Sequence, residues 1–118
     1  MGNAPTANPE QTSTAPAKKQ YLFYLTARES FLKDATDAER KMMFGHIRHL
    51  AALHQSGALV FGARYMTEPI ALAVVEATSE AEARKLLESD PAVQAGILKM
   101  DGREIVMPFL EGRPAPKM

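Results

Sequence analysis

The segment Ile70–Ala77 carries apolar side chains on both of its faces, and this restricts the architectures open to the chain more than any other feature. Ile70, Leu72 and Val74 fall on one side of an extended strand, and Ala71, Ala73 and Val75 on the other. A strand in an antiparallel sheet with one wet face alternates apolar and polar residues instead. Residues 21–25 repeat the pattern: Tyr21, Phe23 and Leu25 share one face, Leu22 and Tyr24 the opposite one. A sheet built from these strands must be covered on both sides.

The remaining elements cover only one. Thr36 stands three residues before Glu39, the spacing at which side chain and backbone satisfy each other's orphan groups at a helix start. A helix is predicted over residues 37–56, with Met43, Ile47, Leu50 and His54 at helical spacing and Gly57 to stop it. Ser79 and Glu82 repeat the capping spacing and predict a second helix carrying Ala83, Leu86 and Leu87, ended by Asp90-Pro91. Residues 58–65 read as a strand joined to Ile70–Ala77 by Met66-Thr67-Glu68-Pro69, a connection of hairpin length. Residues 26–34 read as a polar connection. Residues 91–97 read as one further helical turn started by Asp90 and closed by Gly96, and residues 103–110 as a last strand after a turn at Asp101-Gly102. The order β-α-β-β-α-β is the ferredoxin-like plan, an α+β fold with a four-stranded antiparallel sheet and both helices on one face. The other face then needs a partner. A second copy of the chain is the simplest, giving a homodimer with the sheets face to face.

The chain has 118 residues, enough for one domain. Residues 20–110 hold all the predicted elements. Residues 1–19 are rich in Ala, Pro, Thr, Asn and Ser and predict a disordered tail, with a second short tail at 111–118. The first of these lacks the apolar stretch of a signal peptide but resembles the linker that follows one after cleavage. The expected location is therefore cytoplasmic by default, with export as the alternative. Lys and Arg number 14 and so do Asp and Glu, and a neutral chain without basic runs argues against nucleic acid and anionic membrane surfaces. No apolar stretch is long enough to span a membrane. The absence of Cys removes disulfides, thiolate nucleophiles and zinc–thiolate sites.

The candidates for chemistry are then three histidines and a few carboxylates. On the predicted first helix the apolar stripe centres near Leu50, with His54 inside it, His46 at its edge and His49 farther round. At that edge His46 can be partly buried and still reach a cleft, which suits proton transfer. Placement alone equally describes an ordinary flanking residue with one hydrogen bond, and favours it. His54 suits the carbonyls of the last turn. His46 and His49 are three apart, but no third ligand stands near them in sequence, so no metal is expected. Asp90-Pro91 is a helix start by composition. A carboxylate there could alternatively fix the tautomer of an imidazole, which spacing does not decide. Arg28, Arg64, Tyr24 and Tyr65 could hold an anionic or aromatic small molecule, although strand ends are usually exposed.

Several stretches in order carry a resemblance. Gly45-His46-Ile47-Arg48-His49-Leu50, then Leu53-His54-Gln55-Ser56-Gly57-Ala58-Leu59-Val60-Phe61-Gly62, are similar to the first helix and second strand of the YciI-like (YCII-related) family. Glu80-Ala81-Glu82-Ala83, Leu86-Leu87 and Asp90-Pro91-Ala92-Val93-Gln94-Ala95-Gly96 resemble its second helix and Asp-Pro turn, and Met107-Pro108-Phe109 its closing strand. The resemblance spans about residues 20–110. It implies a dimeric ferredoxin-like α/β barrel with an active site made by the helical His and the Asp before Pro, here His46 and Asp90. The family includes a dehydrochlorinase acting on a chlorinated hydroxyhydroquinone. Many members have Gly-Pro after the second strand, where this chain has Gly62-Ala63-Arg64-Tyr65.

Together these readings predict a cofactor-independent lyase or isomerase acting on a small cyclic or carbonyl compound. In it His46 moves a proton, Asp90 orients His46, and Arg28, Arg64 and Tyr65 contact substrate. A non-catalytic ligand-binding or sensing dimer, and an oxygen-using monooxygenase of the dimeric-barrel type, are the alternatives.

Overall fold

The computed structural model describes residues 17–110. Of the tail expected at 1–19, residues 1–16 lie outside them, as does the tail expected at 111–118, while Lys19 already belongs to the first strand. The elements are β1 (Lys19–Thr26), α1 (Phe31–Asp34), α2 (Asp37–Gln55), β2 (Leu59–Arg64), β3 (Ile70–Ala77), α3 (Glu80–Glu88), α4 (Pro91–Gln94) and β4 (Lys99–Ile105). The four strands form one antiparallel sheet in the order β2-β3-β1-β4, the ferredoxin-like arrangement.

The register assigns each strand residue to a face. Tyr21 pairs with Val75, Phe23 with Ala73 and Leu25 with Ala71. These residues point toward the helices and form most of the core with Leu59, Ala83, Leu87, Ala92 and Leu98. The opposite face carries Leu22, Tyr24, Phe61, Leu72 and Val74. Val74 is buried there by its neighbours, while Tyr24 and Phe61 are 44% and 47% exposed. A shift of register between Leu59 and Phe61 puts Phe61 on this face. The sheet is apolar on both sides, and the helices occupy one.

Local chemistry starts the helices where the spacing predicts. Thr36 Oγ1 accepts the Glu39 N–H at 3.1 Å, and the Glu39 carboxylate accepts the Thr36 N–H at 2.8 Å, a complete capping box. At α3 only half of the expected box forms. Ser79 accepts the Glu82 N–H, but the Glu82 carboxylate reaches past Ser79 to the N–H and hydroxyl of Thr78. The stretch 26–34 is less polar than expected in effect, because Phe31 and Leu32 open the short α1 and Phe31 is buried.

Two expectations are corrected. The buried face of α2 runs through Met43, His46, Leu50 and Leu53, whereas Ile47 is 60% exposed and His54 is exposed. The helix is turned so that His46 lies within its buried stripe and not at the edge, because α2 packs on α4 as well as on the sheet. The last strand begins at Lys99, so Asp101-Gly102 lies inside it and forms no turn. Gly102 is opposite Phe23, and a Cβ there would stand 2.3 Å from Cε1 of the Phe23 ring. That glycine makes room for an aromatic ring lying across it. The chain reverses earlier, at Gly96, whose φ is 77°.

Candidate functional site

The site begins with a close approach of two helices. Gly45 of α2 faces the ring of Pro91 at the start of α4, and a Cβ at Gly45 would lie 3.1 Å from Pro91 Cγ. Glycine inside a helix costs about 1 kcal/mol relative to alanine. Here it lets the one-turn α4 sit against α2. The residues next to this contact are His46 and Asp90, which are thereby brought together across 44 positions of sequence.

Asp90 holds both roles that sequence spacing left as alternatives. Its Oδ1 accepts the Ala92 N–H at 2.8 Å and caps α4, while its Oδ2 pairs with His46 Nδ1. Both side chains are buried, His46 at 5% and Asp90 at 0% exposure. Burial pushes the Asp90 carboxyl up, but the His46 hydrogen bond and charge and the Ala92 N–H outweigh it, leaving Asp90 below the usual value. An ionised carboxylate only accepts, so Nδ1–H donates to it, and in the neutral ring the basic lone pair belongs to Nε2. Among the described residues Nε2 has no protein hydrogen-bond partner.

His46 lines a cavity of about 80 Å³ between β1, α1, α2 and the β2–β3 hairpin. Leu25 and Ala27, Phe31 and Leu32, Met43, Pro69 with Ile70 and Ala71, and Leu98 give it an apolar wall. The charged residues at it are Arg64 and Glu68. The pocket is thus an apolar recess with one buried, carboxylate-oriented imidazole in its wall, suited to moving a proton to or from a poorly solvated carbon or oxygen.

Of the residues expected to contact substrate, Arg64 lines this cavity. Tyr65 is not part of the lining; its N–H closes the hairpin on the Ile70 carbonyl at 2.9 Å. Arg28 lies in a neighbouring open groove with its guanidinium bound to Asp34, Ser30 and Glu39. This contact, with the Thr36 N–H, holds the Glu39 carboxyl down at about 2. Tyr24 is on the opposite face of the sheet. His49 Nε2 donates to the Leu86 carbonyl at 2.7 Å, and His54 Nδ1 to the Leu59 carbonyl at 3.2 Å, both tying helix to neighbour. Among the described residues no group of three His, Asp or Glu side chains is placed to hold a metal. Sequence reasoning missed Phe31, Leu32, Glu68 and Leu98. The signal available was the adjacent apolar pair Phe31-Leu32 inside an otherwise polar stretch.

Among curated proteins none matches the chain. The solved structure of 5-chloro-2-hydroxyhydroquinone dehydrochlorinase (TftG) from Burkholderia phenoliruptrix AC1100, in complex with 2,5-dihydroxybenzoquinone, is similar in fold, with a TM-score of 0.51 and 18% identity. The match covers 71% of this chain and 90% of that one. The family model of the YCII-related domain matches residues 19–106, from the first residue of β1 to just past β4, and the chain belongs to that family.

Proposed function

We propose that the chain is a cofactor-independent enzyme of lyase or isomerase type, acting on a small cyclic or carbonyl compound as a homodimer. The observation that carries this reading is the buried His46–Asp90 pair in the wall of an apolar cavity. His46 Nε2 takes a proton from a carbon made acidic by a neighbouring carbonyl or ring. In an isomerisation the same nitrogen returns the proton to a different atom. In an elimination the electron pair of the broken C–H bond forms a double bond and a leaving group departs with its own pair. Asp90 is a positioning residue: it keeps the proton on Nδ1 and balances the imidazolium that forms on Nε2. The apolar wall excludes water, which would otherwise compete for the proton. The fold neighbour's name, a dehydrochlorinase, supports an enzymatic role, while the reaction type is argued from the site.

The test is a screen of small cyclic ketones, enones and halogenated phenols for proton exchange with deuterated water and for turnover, followed by His46→Ala and Asp90→Asn. Loss of exchange by about 100-fold or more in His46→Ala, with a smaller loss in Asp90→Asn, is the expected result. Unchanged turnover in His46→Ala rejects the mechanism. Tight binding with neither exchange nor turnover in the wild type replaces it with a ligand-sensing role.

A further inference from the structure

The proton-transfer reading assigns the back of the cavity and leaves its charged side unused. Arg64 is the last residue of β2 and pairs in register with Ala71, which places it on the helix side of the sheet, where the cavity lies. Arg28, Arg40, Arg84 and Arg103 each have a carboxylate within ion-pair distance. Arg64 and Arg48 have none among the described residues; Arg48 stands exposed on α2, whereas Arg64 shares the cavity lining with Glu68. The one hydrogen bond of Arg64 among the described residues is from Nη1 to the Tyr65 carbonyl at 3.3 Å, a weak contact to its own neighbour that leaves the other donors of the fork available. An unpaired arginine on open surface is ordinary. Beside an apolar recess it is a recognition device, because poorly hydrated walls strengthen its attraction for an anion and the planar fork matches a carboxylate.

We infer that Arg64 sets the substrate class: a compact monoanion with an apolar body, its ionised oxygen on Arg64 and its reacting carbon inside the cavity near His46. This rests on the acid–base reading of His46. The cavity of about 80 Å³ is a small recess that is open on one side. The charged end sits at the opening, where Arg64 is exposed, and the apolar body extends inward. A dianion such as a phosphate ester fits less well, since the apolar lining offers it no further donors and its repulsion by Glu68, which a monoanion also feels, is doubled. A carboxylate and a phenolate share the required chemistry, and the two are separable by experiment.

The experiment measures binding without turnover, by amide shifts in the full chain, using crotonate against crotonamide and benzoate against benzamide. 4-Nitrophenol, titrated through its own ionisation, provides the phenolate arm. Each acid is expected to bind about tenfold more tightly than its amide, with shifts at Arg64 and around His46. In Arg64→Gln this preference disappears; in Arg64→Lys it is reduced but present. Tighter binding of 4-nitrophenol on ionisation, without any acid-over-amide preference, assigns the site to phenolates within the same class. Equal binding of acid and amide and no gain on phenol ionisation, or a preference that survives Arg64→Gln, overturns the inference. His46→Ala separates the two readings. Retained acid preference with lost proton exchange supports both, while lost preference in Arg64→Gln with normal exchange in His46→Ala leaves Arg64 standing and removes the acid–base reading.

Discussion

Asp90 shows how one side chain serves stability and chemistry together. Capping α4 places its carboxylate at the start of the turn, and the same placement puts the second oxygen on His46. Its folded value is held below the ordinary one, so the stabilisation it contributes is complete above the unfolded value of about 4 and is lost as pH falls through the lower folded value. Asp90→Asn keeps a capping oxygen but no charge. The urea midpoint of the wild type should therefore exceed that of Asp90→Asn at neutral pH, and the gap should close as pH falls below about 4. A gap that stays constant from neutral pH to pH 2 argues that the carboxylate charge contributes nothing to the fold. The pair was legible only through the family resemblance; placement alone favoured a flanking His46 and a capping Asp90, and helical spacing turned His46 too far toward the stripe's edge. The turn of α4 was predicted, but spacing did not show its contact with α2 at Gly45 and Pro91, beside which His46 is buried.

Elements were legible where their signal is local. Capping spacings located the starts of α2 and α3, and continuous apolar runs located β1 and β3. β4 was misplaced because Asp101-Gly102 carries a strong local turn signal, yet Gly102 answers to a residue far away in sequence. The Phe23 ring lies across Gly102 on one side and meets the Arg84 guanidinium at 5.7 Å from its centre. A methyl group at Gly102 enters a ring fixed in a fully buried position, so the strand or the ring must shift. Gly102→Ala should destabilise the domain by about 1–3 kcal/mol, the usual cost of overpacking, as a lowered urea midpoint with unchanged slope. If position 102 were only a turn, alanine there would be nearly neutral. Gly102→Ala combined with Phe23→Leu should recover part of the loss, which a backbone effect alone would not allow.

At the scale of the whole molecule the question is what covers the second face of the sheet. Leu22, Tyr24, Phe61, Leu72 and Val74 form its apolar centre, and β4 edges it with Lys99, Asp101 and Arg103, the last two paired at 3.2 Å. An apolar centre with a charged border is the composition of a protein interface. No helix of the described residues is long and apolar enough to cross a membrane. In the homodimer proposed above, a two-fold axis would bring this face against its own copy and leave no open end for further growth. Light scattering during elution should give a mass near twice the 12.9 kDa of one chain. Tyr24→Glu with Phe61→Glu adds two carboxylates at positions about half exposed in the single chain, which the monomer can solvate. In the dimer the same groups would be buried opposite their symmetry mates, at a cost of several kcal/mol per unpaired charge. The double variant should therefore elute as one chain with its circular dichroism intact. A wild-type mass of one chain at micromolar concentration, or a double variant that still elutes at twice that mass, would show that the sheets do not meet through this face.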